Sequence, residues 1–167
     1  MNNLIEFDEI SKEIKRYLDI INAASPHRIK HEFSSSTILA SALTGNRKCL
    51  DEIHGKIGVY IFMDNERHFV YIGVGGLGKK DSLKTRVNKE HRVYGENKDQ
   101  SGTLSRNIQK ILGVKPHESM KVINTLSVLT ITLGKIGEGD DSWKIKNLAQ
   151  ILERFLIYYY KPKFNIR

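Results

Sequence analysis

Residues 58–64 read GVYIFMD and residues 68–74 read HFVYIGV, and these two runs decide the fold. Both are rich in β-branched and aromatic residues, and the short polar segment NER at 65–67 separates them. Two such runs with a brief polar break predict a β-hairpin. The second run continues as VYIGVGGLGKKDS over residues 70–82, so a glycine-rich segment directly follows the second strand. The role of these glycines must therefore be compatible with a strand that is already paired in the hairpin.

The glycine-rich segment matches two nucleotide-binding patterns in part. Gly73, Gly75 and Gly78 spell G-x-G-x-x-G, but a dinucleotide-binding unit needs parallel strands and an acidic residue at a strand end about 20 positions on. Here the preceding strand is paired in a hairpin, and that later position falls in a polar loop. A P-loop needs Ser or Thr after its lysine to hold Mg²⁺, and Lys80 stands there instead. We therefore expect no nucleotide cofactor.

Periodic apolar residues surround the hairpin and predict helices on both sides of it. The order ββ-α-α-β-α over the hairpin and the segments after it favours an α+β fold, with a small three-stranded antiparallel sheet flanked by helices. We expect residues 1–52 to form an N-terminal helical extension and residues 53–167 to form the main domain. The predicted helices cover residues 4–22, 37–45, 82–92, 103–113 and 143–160, and a further strand, with a kink, is predicted within 120–133.

The charge of the chain is unevenly distributed. The net charge is +8; residues 1–52 carry seven Lys or Arg and eight Asp or Glu, whereas residues 53–167 carry 20 and 11. A basic domain attracts polyanions, of which nucleic acid is the usual one, although charge alone also fits a solvated basic surface. Cys49 is the single cysteine and excludes an intrachain disulfide. With no run of 18 apolar residues and no apolar leader, we expect no membrane association and a cytoplasmic location.

The hairpin and the segments after it contain an ordered set of polar residues. Gly58-Val59-Tyr60 lies on the first predicted strand and Tyr71-Ile72-Gly73 on the second, with ten residues between the two tyrosines. Arg86 follows the last of these glycines by thirteen residues, and Asn165 follows Glu153 by twelve. This order and spacing resemble the GIY-YIG nuclease family, with Val replacing the middle Ile of the first motif.

The resemblance implies a metal-dependent DNA endonuclease that uses Mg²⁺ or Mn²⁺. By resemblance Tyr60 is the general base and Tyr71 its orienting partner, although the two roles could be exchanged. Arg86 would stabilise charge on the phosphate, Glu153 would bind the metal, and Asn165 would position the site. A phenol has a reference pKa near 10, so a phenolate base needs nearby positive charge, which Arg86 and a metal would supply.

The resemblance covers about residues 55–167 and departs from the family pattern at one position. The family usually has His or Tyr four residues after the helical arginine, whereas this chain has Glu90 there and His91 one residue later. Either a one-residue shift brings His91 into the site as a catalytic residue, or the role is missing or replaced.

The helix after the glycines is dense in positive charge, which suits contact with a nucleic-acid backbone. The expected substrate is duplex DNA, and a homodimer is one way to cut both strands. A restriction-type enzyme, a structure-selective repair or mobile-element nuclease, and a non-catalytic nucleic-acid-binding protein on the same scaffold all fit the sequence. The residues predicted to contact nucleic acid are Gly73, Lys79, Lys80, Lys84, Lys89 and Arg92.

Overall fold

A computed structural model describes residues 2–26, 28–44, 47–78, 81–91, 102–137 and 142–166. No helix within these ranges is both long enough and apolar enough to cross a membrane. The described elements are α1 Asn2–Ala24, β1 Ser34–Leu39, the 3₁₀ helices Ala40–Thr44 and Arg47–Ile53, β2 Lys56–Met63, β3 Phe69–Gly75, α2 Leu83–Glu90, α3 Thr103–Leu112, α4 Pro116–Asn124, β4 Ser127–Lys135 and α5 Ser142–Tyr160.

The described strands form one antiparallel sheet in the order β1-β4-β2-β3. This confirms the α+β class and the hairpin, whose register places Tyr60 opposite Gly73. The prediction of three strands was wrong, because the sheet has four. The hairpin supplies the two strands at one end of the sheet, so β3 is an edge strand.

The fourth strand, β1, lies in a segment that was predicted to be a connector followed by a short helix. Its sequence, SSSTIL, contains three serines, and serine is a preferred residue at helix N-caps. Pairing with β4 nevertheless extends the sheet, with Ser34 opposite Thr132. These partners are 98 residues apart, so local sequence carries little information about the pairing. Residues 1–52 thus contribute a strand as well as helices.

The predicted strand over 120–133 was wrong in its first part, because α4 runs to Asn124 and β4 begins only at Ser127. Pro116 occupies the first turn of α4, where a missing N–H costs nothing. The Glu118 carboxylate accepts a 2.8 Å hydrogen bond from the Lys115 N–H and so closes the helix start. These start signals outweigh the β-branched residues that follow.

The two faces of the sheet carry separate apolar cores. On the first face, β2 residues such as Phe62 pack with α2, α3, α4 and the 3₁₀ helices. On the second face, Ile61 and its neighbours pack with α1 and α5. Ile14 and Leu18 of α1 are fully buried in this second core, so α1 packs on the same sheet as the hairpin. The edge strand β3 separates helices that approach from opposite sides.

Candidate active site

Two tyrosines from the hairpin meet on the first face of the sheet. The ring centroids of Tyr60 and Tyr71 are 6.2 Å apart, with Tyr60 fully buried and Tyr71 only 6% exposed. Gly73 lies opposite Tyr60, and a Cβ at this glycine would lie 2.3 Å from the Tyr60 hydroxyl oxygen. The second glycine of the hairpin motif therefore makes room for a phenol, because any side chain there would displace it.

The buried carboxylate of Glu90 accepts hydrogen bonds from both tyrosines. Its Oε1 is 3.1 Å from the Tyr60 hydroxyl and 3.5 Å from the Tyr71 hydroxyl. Its Oε2 accepts a 2.7 Å hydrogen bond from the Leu104 N–H in the first turn of α3. Gly102 allows this approach, since a Cβ there would lie 2.5 Å from the Glu90 Cα. Glu90 thus joins the hairpin to the start of α3.

His91, the residue next to this carboxylate, faces a different part of the structure. Its Nε2 lies 2.9 Å from Asn124 Oδ1 on α4, and the residue is buried. The structure therefore does not show the one-residue shift that would bring His91 to the tyrosines. The helix is regular from Leu83 to Glu90. Glu90 therefore lies one helical turn after Arg86, on the same side of α2, and occupies the place expected for the family's His or Tyr.

Glu90 is a site residue to which the sequence alone assigned no role. A glutamate is usually exposed, so its identity gave no sign of a buried position. Leu83, Val87 and Glu90 nevertheless lie at helical spacing and share the buried face of α2. That spacing was the available signal for a glutamate directed into the core.

Arg86 is the solvent-facing member of this cluster, with about a third of its side chain exposed (32%). Its Nε lies 3.9 Å from Asp81 Oδ2, which is too long for a hydrogen bond, and this buried Nε has no hydrogen-bond partner among the described residues. Burial disfavours its charge, but Tyr60, Asp81 and Glu90 together raise the pKa of Arg86. The guanidinium therefore stays protonated, and its Nε–H is available to donate a hydrogen bond to a ligand.

The pKa values of the tyrosines are displaced upward. Burial and the neighbouring Glu90 charge raise the pKa of Tyr60 well above its ordinary value, and they also raise the pKa of Tyr71. Arg86 opposes both shifts without overcoming them. Arg86 therefore acts on the pKa of both phenols in the expected direction, but burial and the Glu90 charge outweigh it.

Glu153 lies on α5 and approaches Arg86 from the opposite face of the sheet. Burial raises the pKa of Glu153, while Arg154 and Arg86 lower it, so the Arg86 charge reaches this carboxylate. Glu153 makes no hydrogen bond or ion pair with another described residue. A half-buried carboxylate with so few partners suits a cation.

The donors around Glu153 limit the kind of metal that the site could hold. Within the described ranges, no group of three or more His, Cys, Asp and Glu side chains could enclose a metal ion. The residues present instead fit a hard cation held by one carboxylate, with water and phosphate oxygens as its other ligands. Mg²⁺ binds proteins in this manner.

Asn165 binds the outer edge of β3. Its Oδ1 accepts from the Ile72 N–H and its Nδ2 donates to the Ile72 carbonyl, both at 2.7 Å. The Phe164 N–H also donates to the Val70 carbonyl, and Asn107 donates to the Phe164 carbonyl. The amide therefore pairs with the strand between Tyr71 and Gly73, as a neighbouring strand would.

The basic residues predicted to contact nucleic acid differ in their surroundings. Lys84 forms a 2.5 Å ion pair with Asp51 of the second 3₁₀ helix. Lys89 is exposed on α2. Lys79, Lys80 and Arg92 lie outside the described residues.

Comparisons with protein-family models, with curated proteins and with solved structures find no match for this chain. The function of the site must therefore be argued from its own geometry. That geometry brings together Tyr60, Tyr71, Glu90 and Arg86, and it places Glu153 within reach of the Arg86 charge.

Proposed function

We propose that this protein is a metal-dependent DNA endonuclease of the GIY-YIG type. The observation that carries the proposal is the position of one guanidinium among groups from both sides of the sheet. The Arg86 charge lowers the pKa of Tyr60, Tyr71, Glu90 and Glu153 against the effect of burial. A cation that acts on two phenols and two carboxylates suits a reaction in which negative charge develops on a phosphate.

Arg86 would bind and stabilise the phosphate. Its planar guanidinium matches phosphate oxygens, and its buried Nε still has a donor to offer. Because Arg86 is the exposed member of a cluster whose tyrosines are buried, an incoming phosphate meets it before it meets Tyr60.

Glu153 would hold Mg²⁺ or Mn²⁺ next to that phosphate. Such an ion, when bound, polarises the phosphate oxygens and makes a bound water more acidic. The half-buried carboxylate needs a cation as partner, and one carboxylate with phosphate oxygens is an ordinary Mg²⁺ environment.

The tyrosines would handle the proton of the attacking water. Tyr60 is the proposed base and Tyr71 its orienting partner. In the described structure Tyr60 has no exposed surface, so the side chains around it must open when substrate binds. Motion of Arg86 towards a phosphate is the simplest such opening, because Arg86 borders Tyr60 and is itself partly exposed.

An open depression beside this site has room for a neighbouring nucleotide. It has a volume of about 350 Å³ and is lined by Ile157, Tyr158, Lys161, Pro162 and Asn165. Ile157 lies one helical turn after Glu153, so the depression continues along α5 from the proposed metal ligand. The exposed ring of Tyr158 suits stacking on a nucleobase, and Lys161 suits contact with a phosphate.

A non-catalytic nucleic-acid-binding protein on the same scaffold is the second candidate. The complete burial of Tyr60 favours it, because a buried phenol has an ordinary structural explanation in an aromatic core. The basic character of residues 53–167 would then be sufficient for function.

Cleavage of supercoiled plasmid DNA separates the two candidates. Wild type is incubated with Mg²⁺ or Mn²⁺ beside Glu153→Gln, with Glu66→Gln at an exposed glutamate as the matched control. We expect nicking by wild type and the control, and about a 100-fold or greater loss in E153Q. Absence of nicking with every metal, together with retained DNA binding, would establish the second candidate.

The thermal stability of E153Q shows whether lost cleavage reflects lost structure. Burial raises the folded-state pKa of Glu153, so the stability associated with its protonated form is lost as the pH rises through that value. Replacing the carboxylate by an amide should therefore not destabilise the protein at neutral pH. Mg²⁺ should raise the melting temperature of wild type more than that of E153Q.

The cleavage products identify the class of substrate. Discrete cut sites in unmodified DNA would support a restriction-type enzyme. Cleavage confined to branched or damaged DNA would support a repair or mobile-element role. Simultaneous cleavage of both strands, with a dimeric mass in solution, would support a homodimer.

A further inference from the structure

The proposed roles of Arg86, Glu153 and the two tyrosines leave the buried carboxylate of Glu90 without a role in the reaction. It is 1% exposed, yet it accepts three hydrogen bonds, from two phenols and one backbone N–H. A buried carboxylate is costly unless such partners satisfy it. Its Oε1 faces Tyr60 and Tyr71 together, and its Oε2 is fixed by the Leu104 N–H.

We propose that Glu90 is the positioning residue of the tyrosine pair and the acceptor of the proton that the pair removes from water. This proposal rests on the endonuclease function and adds a residue to it. The geometry carries it, because Oε1 lies within hydrogen-bond reach of both phenols while the bond to α3 prevents the carboxylate from turning away.

The proton transfer balances without a further reactant. The attacking water gives one proton to the Tyr60 oxygen while the Tyr60 hydroxyl proton passes to Glu90 Oε1. The resulting hydroxide forms the new bond to phosphorus, the bond from phosphorus to the leaving oxygen breaks, and that oxygen takes a proton from solvent. Glu90 afterwards returns its proton through Tyr60 to water.

This arrangement addresses the high pKa values of the phenols. A phenol whose pKa is raised by burial is not ionised at neutral pH, whereas a buried carboxylate can be. Burial raises the pKa of Glu90, while the Leu104 N–H, Tyr60, Arg86 and Lys89 oppose the shift. The pKa of Glu90 is therefore closer to neutral pH than that of an ordinary glutamate, as a proton acceptor at neutral pH requires.

The charged and titratable groups around Glu90 determine the expected pH dependence. They are Tyr60 from β2, Tyr71 from β3, and Arg86 and Lys89 from α2, while α3 presents only a backbone N–H. Because the acceptor must be ionised, activity should rise as the pH increases through the raised pKa of Glu90. At a Mg²⁺ concentration that saturates Glu153, this acidic limb of the profile should belong to Glu90.

The test compares wild type with Glu90→Gln and Glu90→Asp, and uses Glu66→Gln as the exposed-glutamate control. We expect E90Q to lose cleavage by about 100-fold or more and to lack the acidic limb of the rate profile. E90D should recover part of the rate together with the limb. Wild-type rates and an unchanged limb in E90Q would overturn the proposal, whereas a wild type that cleaves nothing would instead overturn the endonuclease function.

A spectroscopic measurement tests the same role without relying on cleavage. The Tyr60 ¹³Cζ resonance of the wild-type protein should shift at the pH where Glu90 titrates, because Glu90 accepts the Tyr60 hydrogen bond. E90Q should lack that shift. A wild-type Tyr60 resonance that does not respond to the titration of Glu90 would overturn the proposal.

Discussion

Replacing Asn165 by alanine tests how the site is supported. The substitution removes the two 2.7 Å hydrogen bonds that the amide makes to the backbone of Ile72. Ile72 is 1% exposed, so its N–H and carbonyl would depend on water entering at the edge of β3. At about 1 kcal/mol for each net hydrogen bond, the expected loss in the free energy of unfolding is about 2 kcal/mol.

The corresponding change in melting temperature is measurable by calorimetry or circular dichroism. A domain of this size loses about 2–4 °C per kcal/mol, so N165A should melt about 4–8 °C below wild type. Asn107→Ala is the matched control, because its amide makes a single 2.7 Å bond to the Phe164 carbonyl in the same tail. The decrease in melting temperature of N107A should be about half that of N165A.

Asn165→Asp tests the direction in which stability changes with pH. The Asp oxygen can still accept from the Ile72 N–H, but an ionised carboxylate cannot donate to the Ile72 carbonyl. The missing donor and the repulsion raise the folded-state pKa of the new carboxyl, so stability should be lost as the pH rises from about 4 to 7. An N165A protein that melts like wild type yet loses cleavage would refute this reasoning and show that the amide acts on substrate.

Two further substitutions test the hairpin and the basic helix. Gly73→Ala would place a Cβ 2.3 Å from the Tyr60 hydroxyl oxygen, so chemical denaturation should show a loss of about 1–3 kcal/mol in the free energy of unfolding. Gly78→Ala is the control and should cost little, because its Cβ would meet its nearest atom at 3.4 Å. Equal stability of the two variants would contradict the steric argument. Asp51→Asn should release Lys84 from its ion pair and steepen the salt dependence of duplex DNA binding in fluorescence anisotropy by about one counterion, and an unchanged slope would exclude Lys84 from the interface.

The parts of the fold that were predicted correctly are those specified by neighbouring residues. The hairpin follows from two β-rich runs with a polar break, and α2 begins where the Ser82 side chain accepts from the Thr85 N–H. Gly113, in the left-handed conformation, follows Leu112 and ends α3 where the predicted helix 103–113 ends. Each signal lies within a few residues of the structure that it specifies, so it is visible without the tertiary fold.

The parts that could not be predicted depend on distant contacts. Strand β1 forms because β4 offers a free edge, and only Ile38 of β1 is buried. Glu90 is directed into the core because Tyr60, Tyr71 and the start of α3 all meet it there. Those partners come from three other elements, and the identity of a glutamate does not specify them.

The edge position of β3 explains how the proposed site can join the two faces of the sheet. Arg86 approaches from α2 on the first face and Glu153 from α5 on the second, and β3 is the described edge between them. A Cβ at Gly75 would lie 2.6 Å from the Leu83 Cα and 3.3 Å from the Arg86 Cγ, so the glycine lets the start of α2, and with it the arginine, lie against the strand. In the proposed reaction the phosphate would therefore bind at this edge, where one strand, fixed by Asn165, supports the groups from both sides. Gly73 and Gly75 are then required by packing against the phenol of Tyr60 and the start of α2, which a loop that binds a nucleotide would not need.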